Sequence, residues 1–331
     1  MIKAFAVSNY RSLKSIVSPL AELNVVTGPN GCGKSNLYKS LRLLAEAAKG
    51  NLIASIAREG GLDYTFWAGP ESYSKAMRDG SAPIQGGARN RNPRLKLGFV
   101  GENFGYSISL GLPAPQGAAG YQDPSLFQFD PEIKRECIWA GDFYRPNTCL
   151  VDRNGPLVKV RSGRKWQVYD AHLNTYDSIL NEISDREALY AAIEDAFPGA
   201  TIGFESDSGN RLSLQFIQQG LLRPLNQAEL SDGTLRYLLL VAALLTPRPP
   251  SLMVLNEPET SLHPDLLPAL GRLIIRAARE TQVWVVSHAA RLVATLEAAA
   301  DCNSIALNKD LGETIILDQS LLDAPPWHWP D

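Results

Sequence analysis

The stretch LNVVTGPNGCGKS, residues 23–35, decides the fold predicted for this chain of 331 residues. Its first five residues form a short apolar run that is typical of a buried strand. Residues 28–35 match the pattern G-x-x-x-x-G-K-[ST], and residues 35–48 continue with the pattern of a helix. Strand, glycine-rich turn and helix in this order predict a loop that binds phosphate.

Each position of this phosphate loop has a chemical reason. Glycines let the backbone curl until its N–H groups point at a β-phosphate, and the helix adds the partial positive charge of its N-terminus. Lys34 neutralises β- and γ-phosphate oxygens, and the Ser35 hydroxyl is a ligand for Mg²⁺. A thiol in this setting could act as a redox sensor, but many residues suit the position, so Cys32 is interpreted as an ordinary loop residue. The predicted nucleotide-binding residues of the loop are Asn30, Gly31, Cys32, Gly33, Lys34 and Ser35.

A second segment, SLMVLNEPETSLHP at residues 251–264, has the pattern of a buried strand that runs into an acidic turn. Such a strand can deliver a carboxylate that holds Mg²⁺ beside a nucleotide phosphate, yet its last position is Asn256, followed directly by Glu257. The segment therefore raises the question whether the chain hydrolyses nucleotides or has lost that activity.

A third segment, Leu-Ser-Asp-Gly-Thr-Leu-Arg at residues 230–236, predicts a Ser-x-Gly turn that opens an apolar helix. The backbone N–H groups of such a turn, together with the Ser231 hydroxyl, can receive a phosphate. Because the phosphate loop already fills this role within one subunit, the second anion site is expected to face the γ-phosphate of a partner molecule. Two chains would then enclose two nucleotides.

Composition and charge narrow the class of protein. A hydrophobic fraction of 45% and a charged fraction of 20% allow a sizeable core. The apolar runs are shorter than the roughly 20 residues of a membrane span, and the start lacks the apolar core of a signal peptide, so a cytoplasmic protein without a membrane partner is expected. The net charge of −3 argues against a surface that coats nucleic acid throughout. The spacing of the cysteines suggests neither a zinc site nor a disulfide framework; they are Cys32, Cys137, Cys149 and Cys302.

The order of predicted elements indicates an α/β fold, a P-loop NTPase whose parallel-rich core sheet is flanked by helices, with an antiparallel β-subdomain. Residues 1–50 and 221–331 are predicted to form a discontinuous nucleotide-binding core. Residues 51–220, in which Gly- and Pro-rich pieces separate short β-like runs, form an inserted β-rich and helical region of the same head. The region shows no sustained heptads, so no long coiled coil is expected.

These motifs, in this order, resemble those of the ABC-type ATPase heads of the RecF and structural-maintenance-of-chromosomes (SMC) class. The similarity is strongest to short ATPases with a Glu-Pro-Glu-x-x-Leu-His-Pro signature, which residues 257–264 contain. Residues 8–13 are similar to the Asn-Phe-Arg-Ser element of that class, residues 230–234 to its signature motif and residues 286–288 to its switch-histidine segment. The resemblance implies ABC-ATPase head architecture, ATP and Mg²⁺ as cofactors, and an ATP-dependent homodimer.

The resemblance also implies a role for each matching residue. Glu257 would polarise the attacking water, His288 would sense the γ-phosphate, and Lys34 would complete the catalytic set. Arg11 and Asn36 would join the nucleotide-binding residues of the loop. The signature motif that acts across the dimer would consist of Ser231, Asp232 and Gly233. The residues that would hold Mg²⁺ are Ser35 and Asn256. The glutamine of the Q-loop stays open between Gln85, Gln122 and Gln128.

Asn256 should slow the enzyme without disabling it. In this class the residue before the catalytic glutamate is normally aspartate, which accepts hydrogen bonds from a Mg²⁺-bound water. Hydrogen bonds to charged groups contribute about 1.5–3 kcal/mol and neutral ones about 0.5–1.5 kcal/mol, so the amide should weaken Mg²⁺ retention roughly tenfold. Because Glu257 is present, we expect a slow, Mg²⁺-dependent ATPase.

Two biological functions stay open. The first is an ATP-gated dimer that acts on DNA in repair, recombination or anti-phage defence. It is suggested by basic residues of the middle region, although a solvated β-surface explains them about as well. These residues are Arg89, Arg91, Arg94, Lys96, Arg153, Lys159, Arg161, Arg164 and Lys165, with Trp166 among them. The alternative is an ATP-gated switch that controls a partner effector protein, a nuclease or toxin, without direct DNA contact.

Overall fold

The structure, a computed structural model, describes residues 1–84, 93–113, 131–155, 157–162, 165–170, 186–206, 212–247, 249–317, 319 and 324–330. Its strands are β1 (Ile2–Tyr10), β2 (Leu13–Pro19), β3 (Leu23–Thr27), β4 (Leu95–Gly101), β5 (Phe104–Gly111), β6 (Glu132–Ala140), β7 (Cys149–Asn154), β8 (Leu157–Ser162), β9 (Lys165–Asp170), β10 (Ala200–Ser206), β11 (Leu212–Gln218), β12 (Leu225–Asn226), β13 (Leu252–Asn256), β14 (Gln282–Val286), β15 (Cys302–Asp310) and β16 (Glu313–Ile316). Its helices are α1 (Lys34–Ala48), α2 (Leu52–Arg58), α3 (Leu62–Thr65), α4 (Lys75–Arg78), α5 (Arg186–Ala196), α6 (Asp232–Leu244), α7 (Leu267–Ala277) and α8 (Ala290–Glu297).

The chain divides into two compact units, each built from separate stretches of sequence. The first consists of Met1–Leu20, Gly28–Thr175 and Ile305–Asp331. The second consists of Ala21–Thr27 and Tyr176–Ser304. The division into a nucleotide-binding core and an inserted region at residues 51–220 remains a prediction, because it concerns function as well as compactness.

The first unit contains an eight-stranded sheet in the order β2-β1-β4-β5-β6-β7-β8-β9. Each neighbouring pair runs antiparallel. α1 packs on β1 and β4 through its apolar face, on which Leu37 and Leu43 are fully buried. Trp327 packs edge-on against the buried Trp139 at 5.9 Å, so the C-terminal segment adds to the core of this unit. The strands β15 and β16 form an antiparallel hairpin.

The second unit contains the parallel strands β13, β14 and β3, in that order. All five residues of β14 are buried, as expected for a parallel strand that is covered on both faces. The helices α7 and α8 pack closely beside the sheet because Gly271 leaves room for Thr295; an added Cβ would lie 2.6 Å from the Thr295 methyl group. A separate antiparallel sheet has the order β10-β11-β12.

These pairings correct the predicted sheet. The α/β class holds, but the expectation of a parallel-rich core sheet is not confirmed, because the largest sheet is antiparallel. Among the described strands, the parallel ladders join β13 to β14 and β14 to β3. Across the described ranges, no helix has the length and apolar character that crossing a membrane requires.

Candidate active-site residues

The parallel register places three predicted segments at one edge of the sheet in the second unit. Asn256 at the end of β13 pairs with Val286 at the end of β14, and Val286 pairs with Val26 near the end of β3. The carboxyl ends of the three strands therefore meet at the same edge, where α/β proteins commonly bind ligands. The phosphate loop begins at Gly28, directly after the last residue of β3.

The backbone of the phosphate loop has the conformation that its glycines permit. Gly28, Gly31 and Gly33 all have positive φ, and Gly33, at 111°, immediately precedes α1. A Cβ at Gly33 would collide with the hydroxyl of Thr314 and lie 2.9 Å from that of Ser12. Only glycine fits this position, because it lacks the side-chain atom that the turn would bring into contact.

Lys34, at the start of α1, is folded back over its own loop. Its side chain is buried, and its ammonium group donates to the carbonyl oxygens of Gly28 at 2.6 Å and Pro29 at 3.1 Å. Ser35, the next residue, is exposed, as are Asn30 and Gly31. The loop thus combines a preorganised ammonium group with an accessible hydroxyl, which are the two side-chain groups that a phosphate loop requires.

A chain of hydroxyl groups fixes the end of the loop. The hydroxyl of Thr314, on β16, donates to the Cys32 carbonyl oxygen at 2.7 Å and lies 2.7 Å from the Ser12 hydroxyl. Asn36 donates to Ser12 through its side-chain amide at 2.8 Å. Asn36 therefore contacts the residues that support the loop. The sequence assigned no role to Thr314, and it marked Ser12 only as part of the 8–13 element.

Arg11 is held by a buried carboxylate. It has a positive φ of 49° and donates to Glu59 at 2.9 Å. The Tyr10 hydroxyl donates to the same Glu59 oxygen at 2.7 Å, and burial together with this carboxylate raises the pKa of Tyr10. The structure thus gives Arg11 a definite protein partner, and its predicted contact with nucleotide phosphates remains a prediction.

Glu257 occupies a strained turn at the end of β13. Its φ is 48°, and its N–H donates to the carbonyl oxygen of Val286 at 2.8 Å. The N–H of Thr260 closes the turn by donating to the Glu257 carbonyl oxygen at 3.1 Å. A left-handed conformation in a residue other than glycine is unfavourable and tends to occur at functional sites. The hydrogen bond to β14 holds Glu257 at the edge where the parallel strands end.

Glu259, two residues further on, connects this turn to the segment after β14. One carboxylate oxygen, Oε1, accepts from the Ser287 hydroxyl at 2.7 Å and from the His288 N–H at 3.1 Å. The Nδ1 atom of His288 lies 3.5 Å from the same oxygen. The turn of Glu257 and the predicted switch histidine are therefore brought together by Glu259, to which the sequence assigned no role. In the sequence, Glu259 is marked only by its place in the signature at residues 257–264.

The signature motif forms the start of α6. Ser231 caps the helix by accepting from the Thr234 N–H at 3.2 Å, and Ser231 and Asp232 are both exposed. A Cβ on Gly233 would lie 2.8 Å from the carbonyl oxygen of Ser261, so only glycine lets the start of α6 approach the turn after Glu259. The motif therefore combines a capped helix N-terminus with an accessible face.

Several residues of the predicted basic set already have partners. Arg153 lies 3.5 Å from Glu136, the Arg161 guanidinium donates to the Asn147 carbonyl oxygen, and the Lys96 ammonium lies 5.8 Å from the centre of the Trp329 ring. Arg94 and Lys159 are exposed. Other predicted residues lie outside the described ranges: Gln85, Arg89, Arg91, Gln122, Gln128 and Arg164. β9 contains Lys165 and Trp166, but the structure does not describe their side chains.

Solved structures with the same fold define the class. The SMC head domain from Thermotoga maritima matches 97% of this chain and 99% of its own length at 15% identity, with a TM-score of 0.52. An Smc head domain from Pyrococcus furiosus, determined with an extended coiled coil and bound to the C-terminal domain of ScpA, matches 98% of this chain and 97% of its own at 11% identity, with a TM-score of 0.51. At these identities the likeness establishes the fold, which is that of an SMC head domain.

The family follows from the sequence match. The family described as "AAA domain, putative AbiEii toxin, Type IV TA system" matches residues 23–109 and 151–294, well over half of the chain. The chain belongs to this family, and its fold is that of the ABC-type ATPase heads of the RecF and SMC-like class. No curated protein matches the sequence.

Proposed function

We propose that the chain binds ATP with Mg²⁺ and hydrolyses it slowly. The observation that carries the proposal is the conformation of Glu257, which a hydrogen bond to Val286 holds at positive φ where the parallel strands end. A glutamate whose backbone is fixed in this way can present its carboxylate to a water molecule for in-line attack on a γ-phosphate. Because the turn is preorganised, little rearrangement would be needed when ATP binds.

The residues of the phosphate loop fit an ATP molecule with Mg²⁺. Gly33 supplies backbone space that a Cβ would fill, and Lys34 has an ammonium group that now donates to loop carbonyls and could donate to phosphate oxygens instead. Ser35 and Asn256 are exposed and offer oxygen atoms, the ligand type that Mg²⁺ prefers. Bound Mg²⁺ would neutralise charge on the phosphates.

Glu257 and His288 divide the remaining chemistry. Glu257 would accept a proton from the attacking water or orient it, and His288, which is exposed, would contact the γ-phosphate. Phosphate release from ATP, measured in Mg²⁺ and in excess EDTA, tests the proposal. Mg²⁺-dependent release would support it; bound ATP without release at high Mg²⁺ would favour a switch that binds ATP without hydrolysing it.

We further propose that ATP closes a homodimer through the signature motif. Ser231 and Asp232 are exposed at the N-terminus of α6, so a phosphate of the partner subunit's nucleotide could approach them. A Glu257→Gln variant should bind ATP without consuming it and shift from monomer to dimer in size-exclusion chromatography with light scattering. Adding Ser231→Arg should restore the monomer, whereas a monomer in the first variant would contradict the proposal.

The target of this closure is proposed to be DNA or a protein effector. The exposed Arg94 and Lys159 are compatible with contacts to a DNA backbone. Two observations favour the effector: Arg153 and Arg161 already have protein partners, and the family description names a toxin and a toxin–antitoxin system. ATP turnover measured with and without duplex DNA distinguishes a DNA target from a protein effector. Stimulation that is lost in Arg94→Glu/Lys159→Glu supports DNA; indifference to DNA, with ATP-dependent retention of a second protein, supports the effector.

A further inference from the structure

We propose that Glu259 is the positioning residue for His288. Its carboxylate keeps a proton on Nδ1 of the imidazole, so that Nε2 is the nitrogen that meets the nucleotide. This inference rests on the proposed function, since it assigns His288 to the γ-phosphate. It concerns a residue of the same turn as Glu257 that the sequence left without a role.

The Glu259 side chain is buried and makes contacts at one end only. It is 7% exposed, and its Oε1 atom accepts from the Ser287 hydroxyl and the His288 N–H. Oε2 is buried and has no hydrogen-bond partner among the residues that the structure describes. Burying a carboxylate with an unsatisfied oxygen costs free energy. A side chain that only held the two segments together, as a structural clamp, would not need that charge.

Glutamine would serve a structural clamp equally well. An amide oxygen could accept from the Ser287 hydroxyl and the His288 N–H in the same geometry, without a buried charge. A carboxylate strengthens all three contacts, and the third, to His288 Nδ1 at 3.5 Å, is the one whose donor can be lost by a change of tautomer. The presence of Glu at position 259 therefore points to the imidazole as the group that the charge serves.

A carboxylate that faces Nδ1 sets the tautomer of the ring. It favours the form with a proton on Nδ1, because an ionised carboxylate only accepts hydrogen bonds. Nε2 is then the free ring nitrogen, and it can donate to a phosphate oxygen when the ring carries a second proton. His288 is 54% exposed while Glu259 is 7% exposed, so the ring spans the boundary between buried carboxylate and solvent.

The backbone around His288 is rigid enough for this role. Ser287 is fully buried, its N–H donates to the Val26 carbonyl oxygen at 3.2 Å, and its hydroxyl accepts from the Ala289 N–H at 3.1 Å. On the other side, the N–H of Leu262 donates to the Glu259 carbonyl oxygen at 3.0 Å. Both segments are therefore fixed, and the orientation of the imidazole depends on the carboxylate between them.

Nitrogen NMR of ¹⁵N-histidine-labelled protein tests the proposal. The chain has four histidines, so the signals of His288 can be identified by their loss in a His288→Gln variant. Without nucleotide and with the ring neutral, the wild-type spectrum should show the proton on Nδ1. In Glu259→Gln the ratio of Nδ1–H to Nε2–H forms should fall roughly tenfold, because a charged acceptor becomes a neutral one. Glu280→Gln, a change at an exposed glutamate of the same unit, should leave the ratio unchanged.

Turnover supplies a second readout. Glu259→Gln should lower kcat for ATP roughly tenfold with little change in KM, while Glu280→Gln should match the wild type. A wild-type proton on Nε2, or an unchanged tautomer ratio in Glu259→Gln, would overturn the inference. If the wild type bound ATP without hydrolysing it, the proposed function would fail, and the tautomer measurement would still decide the role of Glu259.

Discussion

The hydroxyl of Thr314 donates a 2.7 Å hydrogen bond to the carbonyl oxygen of Cys32, so β16 holds the phosphate loop 282 residues away in sequence. Thr314 is 1% exposed, and its hydroxyl also contacts Ser12. The carbonyl that it supports lies directly before Gly33 and Lys34. The shape of the loop therefore depends on a residue that no phosphate-loop motif contains.

Thr314→Val should weaken ATP binding. Valine keeps the shape but removes the hydroxyl, which leaves the Cys32 carbonyl without this donor at a cost of about 1–3 kcal/mol. Part of that cost falls on the nucleotide-binding conformation, so the Kd for ATP should rise about tenfold. Titration with a fluorescent ATP analogue measures it. Thr295→Val, which removes the hydrogen bond of Thr295 to the Arg291 carbonyl oxygen, is the control and should retain wild-type affinity.

Lys34→Met should severely weaken ATP binding while the fold persists. Methionine keeps an apolar stem in a buried position, but the ammonium group that Gly28 and Pro29 now hold is lost. Contacts of a charged donor with phosphate contribute about 1.5–3 kcal/mol each, so losing two of them should reduce affinity roughly 100-fold or more. Calorimetric titration with ATP checks this, and an unchanged circular dichroism spectrum confirms the fold. Retained affinity would exclude Lys34 as the phosphate ligand.

The contribution of the Arg11–Glu59 pair to stability should be separable from the contribution of Arg11 to ATP binding. Arg11→Ala removes the 2.9 Å partner of a carboxylate that is 7% exposed, so it should destabilise the fold by about 1–3 kcal/mol. In Arg11→Ala/Glu59→Gln the buried charge is gone, and most of the stability should return. Thermal melting measures the loss and return of stability, and titration of both variants with ATP measures their affinity. We expect the affinity for ATP to stay low in both variants. Recovery of that affinity in the double variant would show that Arg11 has a purely structural role.

Asn256→Asp should lower the Mg²⁺ requirement. The added charge at the exposed end of β13 should strengthen retention of Mg²⁺ roughly tenfold, because hydrogen bonds to charged groups are stronger than neutral ones. ATP turnover as a function of Mg²⁺ concentration should therefore reach half its maximum at a concentration about ten times lower. Asn103→Asp, at an exposed site between β4 and β5, is the control and should leave this concentration unchanged. Identical Mg²⁺ curves for Asn256→Asp and wild type would show that Asn256 does not contribute to the metal site.

Local patterns predicted the elements that carry the motifs. β3 spans residues 23–27, as the apolar run indicated, β13 ends at Asn256 as predicted, and α1 begins one residue before the predicted Ser35. These elements are specified by short-range signals: a continuous apolar run, a glycine turn and a helical repeat. The segments that hold the candidate site were therefore accessible from sequence.

The large sheet was not accessible in the same way. Its order and antiparallel direction depend on pairings such as β1 with β4, in which Phe5 lies opposite Phe99. Such pairings join residues far apart in sequence, and an apolar run does not reveal the direction of its partner. The order of predicted elements suggested a parallel-rich core sheet, whereas the largest sheet pairs its strands antiparallel.

The supporting residues of the site were hidden for a related reason. Glu259 meets Ser287 across 28 residues, and Thr314 meets Cys32 across 282. A carboxylate or hydroxyl gains its role only when folding buries it beside a particular partner, and neither burial nor partner is visible in a motif. The sequence assigned roles to Lys34 and Glu257 because both belong to recognisable patterns, and it assigned none to Glu259 or Thr314.

The most direct measurement compares ATP hydrolysis in the wild type with that in Glu257→Gln. Each protein is mixed with radiolabelled ATP and Mg²⁺, and bound ATP, bound ADP and released phosphate are followed over time. The wild type should release phosphate slowly, while Glu257→Gln should bind ATP with similar affinity and retain it intact, because the residue that orients water has lost its charge. Equal hydrolysis by the two proteins, or no hydrolysis by the wild type at saturating Mg²⁺, would contradict the assignment of Glu257 as the hydrolytic residue.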